Sequence, residues 1–269
     1  MRVYISSDFE GTAGVSTWTQ TEAGNNGYEE ARRLMTGEVN AAIDGAFAGG
    51  ATEVVVNDSH DTMRNLLLDQ LDGRAQLITG APKLWSMVEA LDEGFDLMLC
   101  TGYHAMAGSA GTLAHTYVRE VHSVALCGQP VGELTLNAYY AGACGVPVGA
   151  VTGDDVLEAE VCGLLPQAQF ARVKNSRGRF GSLSLGAERV RELIRAKAAE
   201  ACRACATLKP LVPPRNPEVV VTYFHAGLAQ VALLCPGSER VSPLSVRFRH
   251  QDYREVLRAF RAMNTLAVG

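Results

Sequence analysis

Residues 3–11 read VYISSDFEG, and this short apolar run with two acidic side chains behind it decides the fold class. The run has the length and the β-branched composition of a buried strand. Residues 28–47 then carry apolar side chains at three- and four-residue steps, the spacing of an amphipathic helix that ends at Gly49-Gly50. Because residues 53–56 (EVVV) begin a second strand, the chain opens with a strand, a helix and a strand.

The same alternation continues toward residue 100. The spacing predicts a helix over residues 83–93 and a third strand over 96–100. Such alternation implies an α/β fold, with a mostly parallel sheet, right-handed crossovers and helices on its faces. Farther along, the patterns predict a hairpin turn at 127–129, helices over 133–143 and 188–206, and strands over 146–151 and 170–174.

A proline-rich stretch suggests a division of the chain into two parts. Residues 207–217 hold four of the ten prolines, so neither helix nor strand is expected there. We therefore predict an α/β catalytic domain over residues 1–206 and a linker over 207–217. A small α+β module with the order β-α-β-α follows over residues 218–269.

Composition excludes several classes of partner. The chain has 24 Lys and Arg against 29 Asp and Glu, a net charge of −5, and no basic block that would bind nucleic acid or an anionic membrane. No apolar run approaches the roughly 20 residues that cross a bilayer, and no secretory signal pattern precedes the first strand. Seven scattered cysteines are typical of reduced, packed thiols, including the Cys202-x-x-Cys205 pair in a helical run. We expect a cytoplasmic protein.

Polar side chains stand where the first three predicted strands end. The first strand is followed by Asp8 and Glu10, the second by Asp58 and His60, and the third by His104. The carboxyl ends of parallel strands meet at one edge of the sheet, which is where α/β proteins bind ligands. These side chains are therefore expected to lie close together.

The residue types at this edge indicate a metal site. Two carboxylates and two imidazoles suit zinc, and also manganese, cobalt or iron. Asp58 has an equally simple interpretation as a turn residue. Glu133, at the start of a predicted helix, is either a further ligand or an acid that interacts favourably with the helix dipole.

His115 is the candidate for a catalytic side chain. It ends the Gly- and Ala-rich loop 108–115, and loops above a strand-end site commonly carry reactive groups. The other three histidines outside the strand ends, His122, His225 and His250, rank lower. Asp154 and Asp155 are weaker candidates for a polar wall of the site. No phosphate-binding loop or dinucleotide motif is present, so a nucleotide is not expected.

Four blocks in this order resemble the zinc-dependent D-aminopeptidases of peptidase family M55: residues 7–11 (SDFEG), 56–60 (VNDSH), 102–105 (GYHA) and 130–138 (PVGELTLNA). The resemblance implies two zinc ions, bound at the positions of Asp8, Glu10, His60, His104 and Glu133, with Asp8 as the bridge. It implies a catalytic role for His115, as a nucleophile. It also implies a ring-shaped homodecamer whose active sites face an internal cavity.

The expected function is that of a dinuclear zinc aminopeptidase that releases N-terminal D-residues, of the D-alanyl type, from short peptides. The preference for D-residues rests on the resemblance alone. Two alternatives stay open from the residues: a metal-dependent amidohydrolase acting on non-peptide amides, and a non-catalytic peptide-binding accessory protein. For His115, general acid/base catalysis is an alternative to nucleophilic attack, because a metal-bound hydroxide is already a competent nucleophile.

Overall fold

A seven-stranded sheet forms the centre of the protein in a computed structural model that describes residues 1–269. Its strand order is β3-β2-β1-β4-β7-β8-β9, and every neighbouring pair is parallel except β8 with β9. The strands are β1 (Arg2–Ser7), β2 (Glu53–Asp58), β3 (Ala75–Ile78), β4 (Leu97–Thr101), β7 (Val148–Asp154), β8 (Gln169–Ser176) and β9 (Ser182–Ser184). β1, β2, β4 and β7 are almost wholly buried, as expected of parallel strands covered on both faces.

Six helices surround the strands: α1 (Tyr28–Ala48), α2 (Glu133–Ala143), α3 (Asp155–Leu164), α4 (Ala187–Ala204), α5 (Ala226–Ala232) and α6 (Tyr253–Val268). α1 and α4 pack closely on one face of the sheet. A Cβ atom on Gly45 of α1 would lie 2.3 Å from the carbonyl oxygen of Arg195 in α4, so only glycine permits this approach. No helix combines the length and the apolar character required to span a membrane.

A second sheet has five antiparallel strands in the order β11-β12-β10-β5-β6. They are β5 (Val121–Leu126), β6 (Gln129–Pro130), β10 (Glu218–Tyr223), β11 (Glu239–Ser242) and β12 (Ser245–Arg249). β10 pairs with both β5 and β12, so this sheet joins strands from before and after the proline-rich stretch. The division into two domains with a linker over residues 207–217 stays a prediction.

The structure confirms the predicted fold class, an α/β protein with a mostly parallel sheet. The helix that starts at Glu133 has the predicted bounds, and α1 and α4 differ from their predicted ends by one or two residues. The predicted hairpin turn is also present, since Cys127 and Gly128 have φ angles of 50° and 80° between β5 and β6.

The helix predicted over residues 83–93 is wrong. Only two short 3-10 turns form there, Ser86–Val88 and Leu91–Glu93. The reason is that side chains from the strands bind the backbone carbonyls of this segment. Tyr4 donates to the carbonyl of Glu89, and Ser6 donates to that of Met87, so those groups are not available to a regular helix.

Four elements were not predicted. The strands β3, β9 and β11 are short and lie at sheet edges, where half-exposed side chains give little periodic signal. Helix α3 directly follows β7, with the Asp154 carboxylate accepting hydrogen bonds from the backbone of Val156 and Leu157 as its N-cap.

Candidate metal centre

Three neighbouring strands deliver side chains to one edge of the parallel sheet. β1 lies between β2 and β4, so Asp8, His60 and His104 follow strands that are adjacent in space. The loops continue the strand pairing: the amide of Asp8 donates to Thr101, and the amide of Ser59 donates to Ser7. This pairing fixes the position of each side chain relative to the next.

The remaining groups come from loops and from a helix start. Glu10 lies two residues beyond Asp8, and Glu133 is the first residue of α2. His115 comes from the loop between β4 and β5. The backbone amide of Tyr117 donates to Glu133 Oε1 at 2.6 Å and holds that carboxylate in place.

The six side chains form a closed ring in which imidazoles and carboxylates alternate. His60 Nδ1 lies 3.5 Å from Asp8 Oδ1 and 3.0 Å from Glu10 Oε2. His104 Nε2 lies 3.4 Å from Asp8 Oδ2 and 3.2 Å from Glu133 Oε1. His115 Nε2 closes the ring, at 3.9 Å from Glu10 Oε1 and 3.8 Å from Glu133 Oε1. The structure therefore brings together all six of the residues that the sequence selected.

Backbone carbonyls set the tautomer of each imidazole. His60 Nε2 lies 2.9 Å from the carbonyl oxygen of Thr21, and His104 Nδ1 lies 3.0 Å from that of Ala105. His115 Nδ1 lies 3.0 Å from the carbonyl oxygen of Leu113. A carbonyl only accepts, so these nitrogens carry the protons. In each neutral ring the nitrogen that faces the carboxylates therefore presents a lone pair, the arrangement seen in metal-binding histidines.

The ring is almost wholly buried, and burial together with the neighbouring charges moves its pKa values. Burial, assisted by Glu10, raises the pKa of Asp8 to about 7. Burial opposes the charge on His104, but Glu133 and Asp8 outweigh it and raise the pKa to about 10. Burial and the neighbouring His104 lower the pKa of His115 to about 4. A cation that bound here would displace protons from the ring.

The donor set fits divalent metal ions. The buried oxygens Asp8 Oδ2 and Glu10 Oε2 have no hydrogen-bond partner, which is costly unless a cation or a proton occupies the space beside them. Two overlapping groups have potential ligand atoms within 4.8 Å of one another: His104 with His115 and Glu133, and Asp8 with Glu10 and His104. Carboxylates and imidazoles at this separation are zinc ligands by type.

The other candidate acids lie outside the ring. Asp58 accepts hydrogen bonds from the backbone of Asn65 and Leu66 and from the Asn65 side chain, so it is the turn residue of the alternative interpretation. Asp154 caps α3 and also accepts from the amide of Thr112, which anchors the loop that carries His115. Asp155 accepts from the amide of Ser176.

The lower-ranked histidines, His122, His225 and His250, lie on the second sheet or beside it, away from the ring.

Sequence reasoning missed three contributors to the site: Thr21, whose carbonyl orients His60; Trp18, whose indole meets His115 edge-on; and Lys174. The first two carried no local signal, because a backbone carbonyl and a loop tryptophan belong to no motif.

Lys174 supports the segment that carries Glu10. It is 1% exposed, and its Nζ donates to the backbone carbonyls of Glu10, Thr12 and Val15 at 2.5, 3.0 and 2.7 Å. Burial lowers its pKa to about 8. Glu38 of α1 accepts from the amide of Ala13 in the same segment. Two buried side chains thus hold the loop that follows β1.

Lys174→Met is expected to destabilise the protein, because the side chain keeps its length and loses all three hydrogen bonds. Each buried carbonyl left unpaired costs about 1–3 kcal/mol, and removal of the buried charge offsets part of that loss, so the free energy of unfolding should fall by roughly 2–5 kcal/mol in a urea titration. Lys197→Met is the matched control, since Lys197 Nζ donates to two partly exposed side chains, those of Glu200 and Gln169, and to no buried carbonyl. Equal losses in the two variants would contradict the supporting role of Lys174.

The family of the chain follows from comparison with known proteins. The sequence profile of peptidase family M55, described as D-aminopeptidase, matches residues 1–262. The chain therefore belongs to peptidase family M55. It is 39% identical over 269 residues to a curated D-aminopeptidase from Bacillus subtilis (strain 168), with 100% of this chain and 98% of that protein covered.

A solved structure agrees. The protein described as Zn-dependent D-aminopeptidase DppA from Bacillus subtilis, a self-compartmentalizing protease, superimposes with a TM-score of 0.96 at 39% sequence identity, covering 99% of this chain and 98% of that one. The resemblance drawn from the four sequence blocks is thereby confirmed. The prediction of an aminopeptidase, a hydrolase of peptide bonds, is confirmed with it.

Proposed function

We propose that this protein is a dinuclear zinc aminopeptidase that removes N-terminal D-residues, of the D-alanyl type, from short peptides. The observation that carries the proposal is the closed ring of three imidazoles and three carboxylates. Asp8 points one oxygen at His60 and the other at His104, so it is the side chain suited to bridge two ions. Zinc itself is supported by the Zn-dependent relative.

The proposed ligands are the five side chains Asp8, Glu10, His60, His104 and Glu133. Zinc would supply Lewis-acid polarisation of the scissile carbonyl and a lower pKa for water. The carboxylates of Glu10 and Glu133 flank His115 Nε2 and position that nitrogen toward the centre. The substrate ammonium suits an acidic site because charge-assisted hydrogen bonds hold it.

We assign His115 general acid/base catalysis. Its Nδ1 proton is held by the carbonyl of Leu113, so Nε2 can take a proton from water and pass it to the departing amine. His115 also stacks on His104, with ring centroids 4.2 Å apart and an interplanar angle of 12°, which fixes its plane. In the nucleophile role that the resemblance implies, the Nε2 lone pair would instead attack the carbon of the scissile carbonyl.

Burial of the ring favours short substrates. His60 and His115 are each 9% exposed, and the other four members less, so only the end of a chain can reach the ring. The relative is described as self-compartmentalizing, which supports an assembly that encloses its active sites. We propose a homodecamer in the cytoplasm. Light scattering on the purified protein tests the assembly, and a monomer would contradict it.

The decisive experiment compares D-alanyl-glycine with L-alanyl-glycine, so that only the first stereocentre differs. D-alaninamide is included to detect action on simple amides. Zinc-loaded protein should hydrolyse the D-peptide much faster than the L-peptide, and chelator-stripped protein should hydrolyse neither until zinc is restored. Absence of hydrolysis with zinc bound would contradict the proposal. Action on the amide alone would favour the amidohydrolase, and binding without turnover the accessory protein.

A further inference from the structure

We infer that Trp18, Arg119 and Arg179 form a subsite for the C-terminal carboxylate of a short peptide. The inference rests on the proposed function, because it concerns the far end of the same substrate. The three residues come from separate parts of the chain and meet beside His115. We call them the arginine rim.

Trp18 covers one side of His115. It begins the 3-10 turn Trp18–Gln20, and its indole meets the His115 imidazole edge-on, with ring centroids 5.2 Å apart and an interplanar angle of 89°. The indole is half-buried, so one part packs on the ring of imidazoles and carboxylates while another faces outward. A substrate that approaches His115 from this side therefore meets the indole.

Two guanidinium groups lie over the same indole. The Arg119 group lies 5.0 Å from the Trp18 ring centroid, and the Arg179 group lies 5.9 Å from it. Stacking on an aromatic face orients a guanidinium plane and leaves its edge free for hydrogen bonds. The Trp18 indole therefore lies between each guanidinium group and His115.

Both arginines retain unused donors. A guanidinium has five N–H groups. Arg119 uses one edge for the Glu22 carboxylate, with Nη2 2.9 Å from Oε1, and Arg179 donates from Nη1 to the carbonyl of Ala114. The Glu22 contact shows that a carboxylate fits against this rim. Both arginines are exposed, so a substrate group can reach the donors that remain.

The rim gives the substrate a direction. An extended peptide advances about 3.5 Å per residue, so the carboxylate of a dipeptide or tripeptide whose amino end lies in the ring falls near this outer edge. A peptide carboxylate is itself a metal ligand and would compete for the centre. Paired arginines that hold it at the rim therefore favour entry of the amino end and disfavour the reversed peptide.

The test uses D-alanyl-D-alanine and its C-terminal amide, which differ only in the charge at the far end. The zinc-loaded wild type should prefer the free acid. The Arg119→Ala/Arg179→Ala double variant should lose roughly tenfold to a hundredfold in kcat/KM on the acid, mainly through KM, the size expected for hydrogen bonds to a charged group. Hydrolysis of the amide should change little.

Arg177→Ala is the matched control, because Arg177 is exposed on the same turn as Arg179 and contacts only the carbonyl of its neighbour Ser176. It should alter neither substrate. Equal kcat/KM values for the acid and the amide in the wild type would contradict the inference that the arginine rim binds the carboxylate. Equal losses of kcat/KM on both substrates in the double variant would contradict it as well. Zinc content and circular dichroism of each variant separate a folding defect from a binding defect.

A binding measurement separates this inference from the proposed function. The chain has two tryptophans, so Trp18 is the only fluorophore of its kind in a Trp85→Phe background. Titration of the zinc-loaded protein with N-acetyl-D-alanine should shift Trp18 emission and saturate, and N-acetyl-D-alaninamide should not. The shift should vanish in the double variant. A shift that persists there overturns the rim, whereas failure of all hydrolysis in the wild type overturns only the function.

Discussion

His115→Ala is expected to lose nearly all turnover while it keeps its zinc. Proton transfer by a positioned side chain contributes roughly 10²–10⁴-fold to a rate, so kcat should fall by at least that factor. Zinc should stay bound because the five proposed ligands are intact. The measurement is kcat on D-alanyl-glycine together with zinc content per chain by atomic absorption.

His122→Ala is the control for this variant. His122 lies on β5 of the second sheet, is exposed, and packs edge-on against Phe224, the residue after β10. It should leave both kcat and zinc content unchanged. Loss of zinc from the His115→Ala protein would show that His115 is a ligand, as its place in one of the two ligand groups allows, and would count against the acid/base role.

Asp8→Asn is expected to remove both of the proposed zinc ions, and with them all activity. Asp8 is the only carboxylate that faces His60 and His104 at once, so its loss affects both halves of the centre. His60→Ala and His104→Ala should each lower zinc occupancy as well. His60→Ala should affect only the ion bound beside Asp8 and Glu10. Zinc per chain should fall from two in the wild type to about zero in Asp8→Asn if Asp8 holds both ions.

Asp69→Asn serves as the comparison, since Asp69 is an exposed acid outside the ring and has no ion pair. The unfolding temperature of the metal-free proteins should be similar, which excludes misfolding as the cause of zinc loss. Retention of one ion in Asp8→Asn would contradict its bridging role. Retention of two would contradict its role as a ligand altogether.

The parallel part of the fold was readable from the sequence because its signals are local. Apolar runs of strand length alternate with helical spacing, and the rules for crossovers then place consecutive strands side by side. Asp8, His60 and His104 followed from the same reasoning, since each stands just beyond a strand end. Their proximity is a consequence of topology and does not depend on the side chains between them.

Lys174 shows where local reasoning fails. Strand alternation would give it the same exposed face as Arg172, two residues earlier. The pairing of β7 with β8 shifts register between them, from Gly153 with Arg172 to Asp154 with Lys174. The extra residue in β8 turns Lys174 inward to the Glu10 loop. A bulge is decided by the partner strand, so the alternation within β8 could not reveal it.

The sequence by itself determined the α/β class, the edge of the sheet where the chemistry lies, and the six side chains that meet there. Only the tertiary structure decided that these side chains form a closed ring and that the carbonyls of Thr21, Ala105 and Leu113 orient the imidazoles. It also placed the Trp18 indole and two arginines beside that ring. The physical reason is the separation in sequence over which each signal extends. Periodicity and strand ends can be recognised within a few consecutive residues, whereas these contacts join segments that become neighbours only after the sheet has formed.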